Sequence, residues 1–546
     1  MKKKLRFAMA QLDFLVGDVE GNMEKIIDYS LRAKNDLQAD LVIFPELALT
    51  GYPPEDLLFR QAIYERTEQA LKSILQQVKG IDVILGYPEK KGEDRFNAAC
   101  LIQGGEITAT YYKACLPNYS VFDEVRYFTA GDQPLVVNYH GLSLGIIICE
   151  DLWHKKPLEK TVAEGANFII SLNASPFDSK KHEARLAMLQ GRARESLVPI
   201  LYLNCVGGQD ELVFDGGSLV LSSDGVIHQR GPFYKEQLIP VDITYEPGTH
   251  DITISDQPIL KLLSQEERIY GALVCGVRDY IEKNNFPSAI VGLSGGIDSA
   301  LTLAIAVDAI GADRVSGILM PSRYTSEMSN EDALKQAALM NVKTSTIPIE
   351  EMFNNFVTTL TAEFQGPPNS VTQQNLQARC RGLILMGISN NCGALVLSTG
   401  NKSEISVGYC TLYGDMVGGF SVLKDIPKTL VYQLANYRNK IQPVIPERVI
   451  TREPSAELAP NQKDQDTLPP YSILDQILEL YVEQDESVKT IVAKGFDEGV
   501  VKKVVLLVDK SEYKRRQAPP GVRVTRRAFG RDRRYPITSG YHKSLK

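Results

Sequence analysis

The sequence has 546 residues, 44% of them hydrophobic and 23% charged. That is enough apolar material for about two to four folded domains, and it excludes a chain that is disordered throughout. A formal charge of −7 at pH 7 argues against a general nucleic-acid binder or a protein that adheres to anionic membranes.

The opening MKKKLRFAMAQLDFLVGD starts as a secretory signal would, but Arg6, Gln11 and Asp13 interrupt the apolar stretch, and a first strand is predicted instead. No apolar run approaches the roughly eighteen residues that span a bilayer, so a soluble chain is expected. The eight cysteines form no C-x-x-C pair and no zinc-knuckle spacing, which predicts reduced thiols in a cytoplasmic protein. A helix is predicted around Asn22 to Lys34. Up to about residue 240, short β-rich runs such as LVIFPEL, DVILGY, LSLGIIICED and VPILYLNCVG alternate with helical stretches. The alternation implies a layered α/β domain with largely buried strands. Residues 242–260, DITYEPGTHDITISDQPIL, lose that rhythm and carry two prolines and a glycine. They predict a boundary between domains over 1–250 and 262–546.

Beyond it come the amphipathic helix EERIYGALVCGVRDYIEKN, the strand AIVGL, a glycine turn, the helix SALTLAIAVDAIGA and a second strand, VSGILMP. Strand, helix and strand at this spacing predict a doubly wound parallel sheet with a ligand at its carboxyl edge. Residues 447–470, with four prolines in a polar stretch, predict a mobile loop or lid. From Lys514 to Arg534 nine basic residues stand against one acid. A solvated basic tail, a nucleic-acid arm and local positive charge for a phosphate-bearing substrate all fit that composition, and the last is preferred.

Three segments of the first domain bear chemistry. Cys149 ends the apolar run GIIIC, where a buried strand emerges into a turn and a thiol is well placed as a nucleophile. Glu46 ends another apolar strand, in FPELALTGY, where a carboxylate can serve as a base, and Lys113 follows aromatic residues in YYKACLPNY. Taken singly, these are as readily a core cysteine, a surface acid and an ion-paired lysine. Together, FPELALTGY, YYKACLPNY and ICEDLW, in that order, resemble the carbon-nitrogen hydrolase (nitrilase) superfamily over roughly residues 1–240. The resemblance implies an α-β-β-α sandwich and a triad in which Cys149 attacks, Glu46 moves the proton and Lys113 stabilises the oxyanion. The residue types suit that work, because a thiolate is the competent nucleophile and a neighbouring ammonium favours it. In the glutamine-using relatives the residues matching Tyr119, Ser175 and Lys181 contact glutamine, and Lys181 could meet its α-carboxylate. A packing aromatic, a turn serine and a solvated lysine are the plainer readings of the same three positions. His154, in the polar turn DLWHKK, is read as a bystander, which disfavours a Cys-His amidase.

In the second domain AIVGLSGGIDSALTLAIA places a glycine turn between a strand and a helix N-terminus, a geometry that aims N–H groups at an anion. It is neither a Walker A loop nor a dinucleotide fingerprint. It resembles the SGGxDS loop of the ATP pyrophosphatases, which implies that Gly292, Leu293, Ser294, Gly295, Gly296, Ile297, Asp298 and Ser299 bind the pyrophosphate of ATP, with Asp298 helping to hold Mg2+. A carboxylate is a poor electrophile, so amidating it requires adenylation first, and ATP then yields AMP and pyrophosphate. The segments NLQARCR, LSTGNKSE, GYCTLYGD and DIPK resemble the NAD synthetase family, whose acid substrate is nicotinic acid adenine dinucleotide. That resemblance implies Thr399 and Lys428 facing ATP, Asn375 and Arg379 facing the dinucleotide, Glu404 at both magnesium and substrate, and Lys514 closing the site. It also implies glutamine, ATP and nicotinic acid adenine dinucleotide as substrates, a homo-oligomer, and no nucleic-acid or membrane partner. Two positions depart from the family's pattern: Leu412 stands where a lysine is usual and Gly419 where an aspartate is. Ser455 of PSAEL replaces a usual threonine. Another ATP-pyrophosphatase amidotransferase is the rival enzyme, and a decayed enzyme acting as a nucleotide sensor is the rival of another class. The nitrilase-like front half argues against the first, and intact Glu46, Lys113, Cys149 and SGGIDS against the second. Because free ammonia protonates and escapes, an internal route for it is expected.

Overall fold

The first strand, Lys3–Gln11, is apolar on both faces: Phe7 and Met9 enter one core, while Ala8 and Ala10 enter another. A strand buried on both sides must have a layer above and a layer below it, and the structure, a computed structural model that describes residues 2–249, 251–257, 259–541 and 543, supplies both. The strand lies inside a seven-stranded sheet, paired antiparallel with Gln237–Tyr245 and parallel with Leu41–Ile43. A six-stranded sheet containing Leu142–Ile148, Phe168–Asn173 and Ile200–Asn204 packs against it, and Phe7, Met9 and Ile43 share one core with Leu144, Ile146 and Ile169. The opposite face of the first sheet is covered by the helices Val19–Asn35 and Gln61–Gln77 through Ile26, Ile63 and Ile74. Helix Lys181–Ser196 sends Leu189 and Ala193 into the core of the second sheet. The first unit is therefore the α-β-β-α sandwich.

The chain separates into two units, Met1–Leu262 and Leu263–Lys546. The stretch expected to be a linker differs from that expectation, because Gln237–Tyr245 runs into it and Ile252–Ile254 pairs back on that strand, Ile243 opposite Ile254. Pro247 and Gly248 lie in the connection of a hairpin at the sheet's edge, and the first unit runs on to Leu262.

The second unit holds a five-stranded, all-parallel sheet in the order Lys343–Thr346, Val315–Leu319, Ala289–Leu293, Leu395–Ser398, Phe420–Ser421. Ala289–Leu293 comes first in the chain, and its two neighbours lead away in opposite directions, so the crevice of a doubly wound sheet opens at its carboxyl end. Helix Ile297–Ile310 begins there, two residues before the predicted start, and is apolar almost all round because it is buried. A separate helical core is built from Leu474, Ile477, Val501, Val504 and Val508.

Candidate active sites

In the first unit the three singled-out residues each stand just past a strand: Glu46 after Leu41–Ile43, Lys113 after Glu106–Tyr112, and Cys149 after Leu142–Ile148. Gly86 makes room for the first of these turns, since a Cβ there would lie 2.4 Å from the Pro45 carbonyl oxygen and 2.6 Å from the Leu47 nitrogen. Cys149 itself has φ +43°, a left-handed conformation uncommon for a side-chain-bearing residue and frequent at functional turns.

The structure brings Glu46 and Lys113 into direct contact. Lys113 Nζ, 1% exposed, donates to Glu46 Oε1 at 2.7 Å and to both oxygens of Glu124 at 2.8 and 2.9 Å. Glu46 is held from two further sides, by Asn97 Nδ2 at 2.8 Å and by the Ala174 backbone N–H at 2.9 Å. Burial works against the Lys113 ammonium, but the two carboxylates outweigh it and hold its pKa well above the usual lysine value. Burial pushes the Glu124 carboxyl up to about 7 against the pull of Lys113.

Glu124 escaped the sequence reading. It lies in a short turn, Glu124–Arg126, flanked by SVFD and YF, and no periodic pattern marks an acid there for burial. Asp151 was missed as well: its Oδ1 accepts from the N–H groups of Ala114 and Cys115, and its Oδ2 from Tyr111 Oη and the Ile148 N–H. One buried carboxyl thus clips the turn that bears Cys149 to the loop that follows Lys113.

Lys113 favours the Cys149 thiolate as expected, but in the resting site it is outweighed. Burial and the charge of Glu46 raise the Cys149 thiol well above its ordinary value, and Lys113 and Lys181 offset only part of this. The nucleophile rests as a thiol, so a base must take its proton. Tyr119, more than half exposed, donates to the Glu150 carboxylate at 3.1 Å and packs against Phe122. The Lys181 ammonium stands over the rings of Phe122 and Trp153 at 5.5 and 5.9 Å. Ser175 is buried and its Oγ accepts from Arg185 at 3.3 Å, while Arg185 pairs with Asp215.

In the second unit a cavity of about 310 Å³ opens over the glycine turn. Its wall includes Gly292, Leu293, Ser294, Gly296, Ile297, Asp298 and Ser299, together with Thr399, Glu404 and Lys428. Gly295 is not on the wall; with φ +77° it faces Ser329, whose carbonyl oxygen would lie 2.2 Å from a Cβ. The turn is held by its own serines, as Ser294 Oγ accepts from the Gly296 N–H and Ser299 Oγ donates to the Gly296 carbonyl. Lys428 Nζ donates to Asp298 at 2.5 Å and to Glu404 at 3.1 Å. Burial raises Glu404 to about 7 despite Lys428. Asp464 is another acid of the wall, held by Tyr471 at 2.8 Å.

Asn375, Arg379 and Lys514 do not line this cavity. All three turn to one segment instead: Asn375 accepts from Thr411 Oγ1, Arg379 Nε donates to the Leu412 carbonyl, and Lys514 Nζ donates to the carbonyls of Gly408 and Cys410. Gly419 is close-packed, since a Cβ there would meet Leu395 at 2.3 Å, so the aspartate usual at that position does not fit the present packing. Ser455 is on the cavity wall and donates to the Gln462 carbonyl.

Two expectations need correction here. Residues 447–470 form a pinned strap: Arg452 donates to Ser329 Oγ and the Gly295 carbonyl, and Glu457 accepts from Ser326 and Ser329. The basic stretch after Lys514 is largely neutralised within the fold, Arg523 pairing with Asp532 at 2.6 Å, Arg533 with Glu512 at 2.8 Å and Arg527 with Asp485. Its partners lie up to some forty residues away in sequence, out of reach of a composition count.

Comparison with known proteins gives each unit a family. The carbon-nitrogen hydrolase family matches residues 6–247 and the NAD synthase family matches residues 269–518. The chain is 48% identical over 542 residues to the glutamine-dependent NAD(+) synthetase of Acinetobacter baylyi, with 99% of each chain covered. It is 49% identical over 546 residues to that of Xanthomonas campestris pv. campestris, with 98% of each covered. Among solved structures, the glutamine-dependent NAD+ synthetase from Acinetobacter baumannii, in complex with adenosine diphosphate, superimposes with a TM-score of 0.80 at 46% identity and covers 99% of both chains.

Proposed function

The chain belongs to the glutamine-dependent NAD(+) synthetases, and from that premise we propose that Cys149, Glu46 and Lys113 release ammonia from glutamine while the cavity over the glycine turn spends it. The observation that carries this reading is the buried Glu46–Lys113–Glu124 cluster, whose charges act on the Cys149 thiol, in a chain whose second unit bears an SGGIDS loop on a cavity.

The resting thiol sets the order of events. Glu46 takes the Cys149 proton as sulfur attacks the glutamine carboxamide, and Lys113 stabilises the oxyanion. The C–N bond then breaks, Glu46 returns the proton to the departing ammonia, and the γ-glutamyl thioester is left on Cys149. Glu46 next deprotonates the water that clears the thioester as glutamate. Glu124 and Asn97 are positioning residues that keep the ammonium and the base in place. Tyr119, Ser175 and Lys181 take the amino-acid end of glutamine, Lys181 meeting its α-carboxylate.

In the second unit the carboxylate of nicotinic acid adenine dinucleotide attacks the α-phosphorus of ATP, giving an acyl adenylate and pyrophosphate. Ammonia then displaces AMP and leaves the amide of NAD. The Gly292–Ser299 turn holds the pyrophosphate, Thr399 and Lys428 hold ATP, and Asn375, Arg379, Glu404 and Lys514 hold the dinucleotide. Among the described residues no group of three or more candidate ligands is close enough to form a closed metal site. Asp298 and Glu404 nevertheless fit Mg2+, which takes one or two carboxylates plus substrate phosphates. When bound, the ion neutralises phosphate charge; the chain's part is to present the two carboxylates and the Lys428 ammonium between them.

Eight cysteines outside any disulfide fit a reducing, cytoplasmic compartment, and no helix among the described residues is long and apolar enough to cross a membrane. Exposed Phe356, Phe364, Val371 and Leu383, on the helices Glu350–Phe364 and Ser370–Cys392, support a homo-oligomer. The test is AMP formation from ATP and nicotinic acid adenine dinucleotide, with glutamine or ammonium as donor, for the native chain and Cys149→Ala. The variant loses glutamine use and keeps ammonium use. If it kept both, the first site would be misassigned; a native chain inactive with either donor would sink the acceptor.

A further inference from the structure

The helix Ser370–Cys392 meets the nucleotide cavity along one stripe, Ala378, Arg381, Gly382 and Leu385, the three- and four-residue spacing of one helical face. Arg379 stands off that stripe and is exposed, with its Nε on the Leu412 carbonyl. Two residues further on, Arg381 is turned inward.

Arg381 is the one cavity cation without a full set of partners. Three cationic side chains line the wall among the described residues: Arg381, Lys428 and Arg452. Lys428 is committed to Asp298 and Glu404, and Arg452 to Ser329 Oγ and the Gly295 carbonyl. Arg381 makes one hydrogen bond, from Nε to the Met320 carbonyl at 3.0 Å, and no carboxylate lies within ion-pair distance among the described residues. Among the described residues its two terminal amino groups have no hydrogen-bond acceptor. Burial lowers its pKa, with the nearby charge of Glu457 opposing this. Arg438 and Arg533, which are buried, are each paired with a carboxylate, of Asp308 and Glu512. A half-buried guanidinium with open donors gains most from an anion.

The place is also right for one. Met320 directly follows the strand Val315–Leu319, whose neighbour Ala289–Leu293 runs into the glycine turn. Met320 and Leu385 are the side chains that would meet a Cβ on Gly292, at 3.2 and 3.4 Å. Arg381 is therefore anchored at the carboxyl edge of the sheet beside the start of the turn. The wall carries more acids than bases, among them Asp298, Glu404, Asp464 and Glu457, so a polyphosphate needs a cation that is not already spent.

We propose that Arg381 binds a phosphoryl oxygen of a nucleotide in this cavity, with its guanidinium fork as donor. The proposal rests on the functional reading above. The phosphate belongs either to ATP or to the dinucleotide, and kinetics separate the two. With ammonium as donor, AMP formation by the full-length native chain, Arg381→Ala and Arg381→Lys is measured while ATP and nicotinic acid adenine dinucleotide are titrated in turn. Loss of a charge-assisted, forked contact raises KM by about ten- to a hundredfold in the alanine variant, with a smaller change in kcat. The substrate whose KM moves is the one held. Lysine recovers only part of the loss, because a point charge lacks the fork. Melting curves check that each variant is folded, and if the alanine variant is not, the lysine variant carries the test. Both KM values within about twofold of native, or a fall in kcat alone, overturn the proposal. A native chain with no amidating activity overturns the underlying function instead.

Discussion

Replacing Lys113 by methionine keeps the length of a fully buried side chain and removes the one charge that two carboxylates share. Glu46 Oε1 and Glu124 Oε1 stand 2.7 and 2.8 Å from Nζ, so they are at most about 5.5 Å apart, and two unscreened carboxylates at that distance repel by about 3 kcal/mol at an effective dielectric constant near 20. That is about two pKa units, so in the variant the pair holds one proton near neutral pH and cannot present both carboxylates. Breaking a buried ion pair by removing one partner costs about 3–5 kcal/mol of stability, and the loss lessens at acid pH, where the carboxyls are protonated. Glutamine hydrolysis, followed as glutamate released, falls by about a thousandfold or more as both base and oxyanion partner fail. Ammonium-driven AMP formation remains as the internal control. Hydrolysis within tenfold of the native rate, or a melting temperature displaced equally at pH 5 and pH 8, would refute the shared-charge account.

Glu124 gives a second handle on the same cluster. Its carboxyl is raised in the folded chain from 4.5 to about 7 by burial, so the folded state keeps a proton that the unfolded state has lost. Its effect on stability is therefore unfavourable as pH rises, setting in near 4.5, complete near 7, and worth about 3 kcal/mol in all. Glu124→Gln carries no such titration, and calorimetric melting across pH 5 to 8 shows a flatter slope than the native chain; parallel slopes count against a buried acid here. In the second unit, Gly295→Ala forces a Cβ to 2.2 Å from the Ser329 carbonyl at φ +77°. Amidation with either nitrogen donor weakens and KM for ATP rises by about tenfold or more, as about 1–2 kcal/mol of backbone strain is added to the clash. An unchanged KM for ATP would mean that the turn does not hold its phosphates.

Much of both sites was legible because the chemistry sits where apolar runs stop. FPEL, YYK and GIIIC each put a functional group one to three residues past a strand, and the glycine turn announces itself between a β-branched strand and a helix. What could not be read depends on groups that meet only after folding. Glu124 lies eleven residues from Lys113 in an irregular turn, and Asp151 acts through four donors from three segments. Arg379 and Arg381 differ by two positions of helical phase, about 200° around the axis, and motif resemblance does not report that phase. The two units divide just past the 242–260 stretch, at 262/263, because Pro247 and Gly248 serve a hairpin of the first unit. The basic stretch hides its partners among acids such as Glu512 and Asp532, which pair with Arg533 and Arg523.

The Asp151 clip has a consequence for how such a pocket changes over generations. By tying the Ile148 N–H on one side to the Ala114 and Cys115 N–H groups on the other, it makes the bond-breaking end a single stiff block. Lys181, at the start of the helix Lys181–Ser196, stands on a support of its own. The end that identifies the substrate can therefore drift towards amides with other tails while the end that cleaves them stays in register.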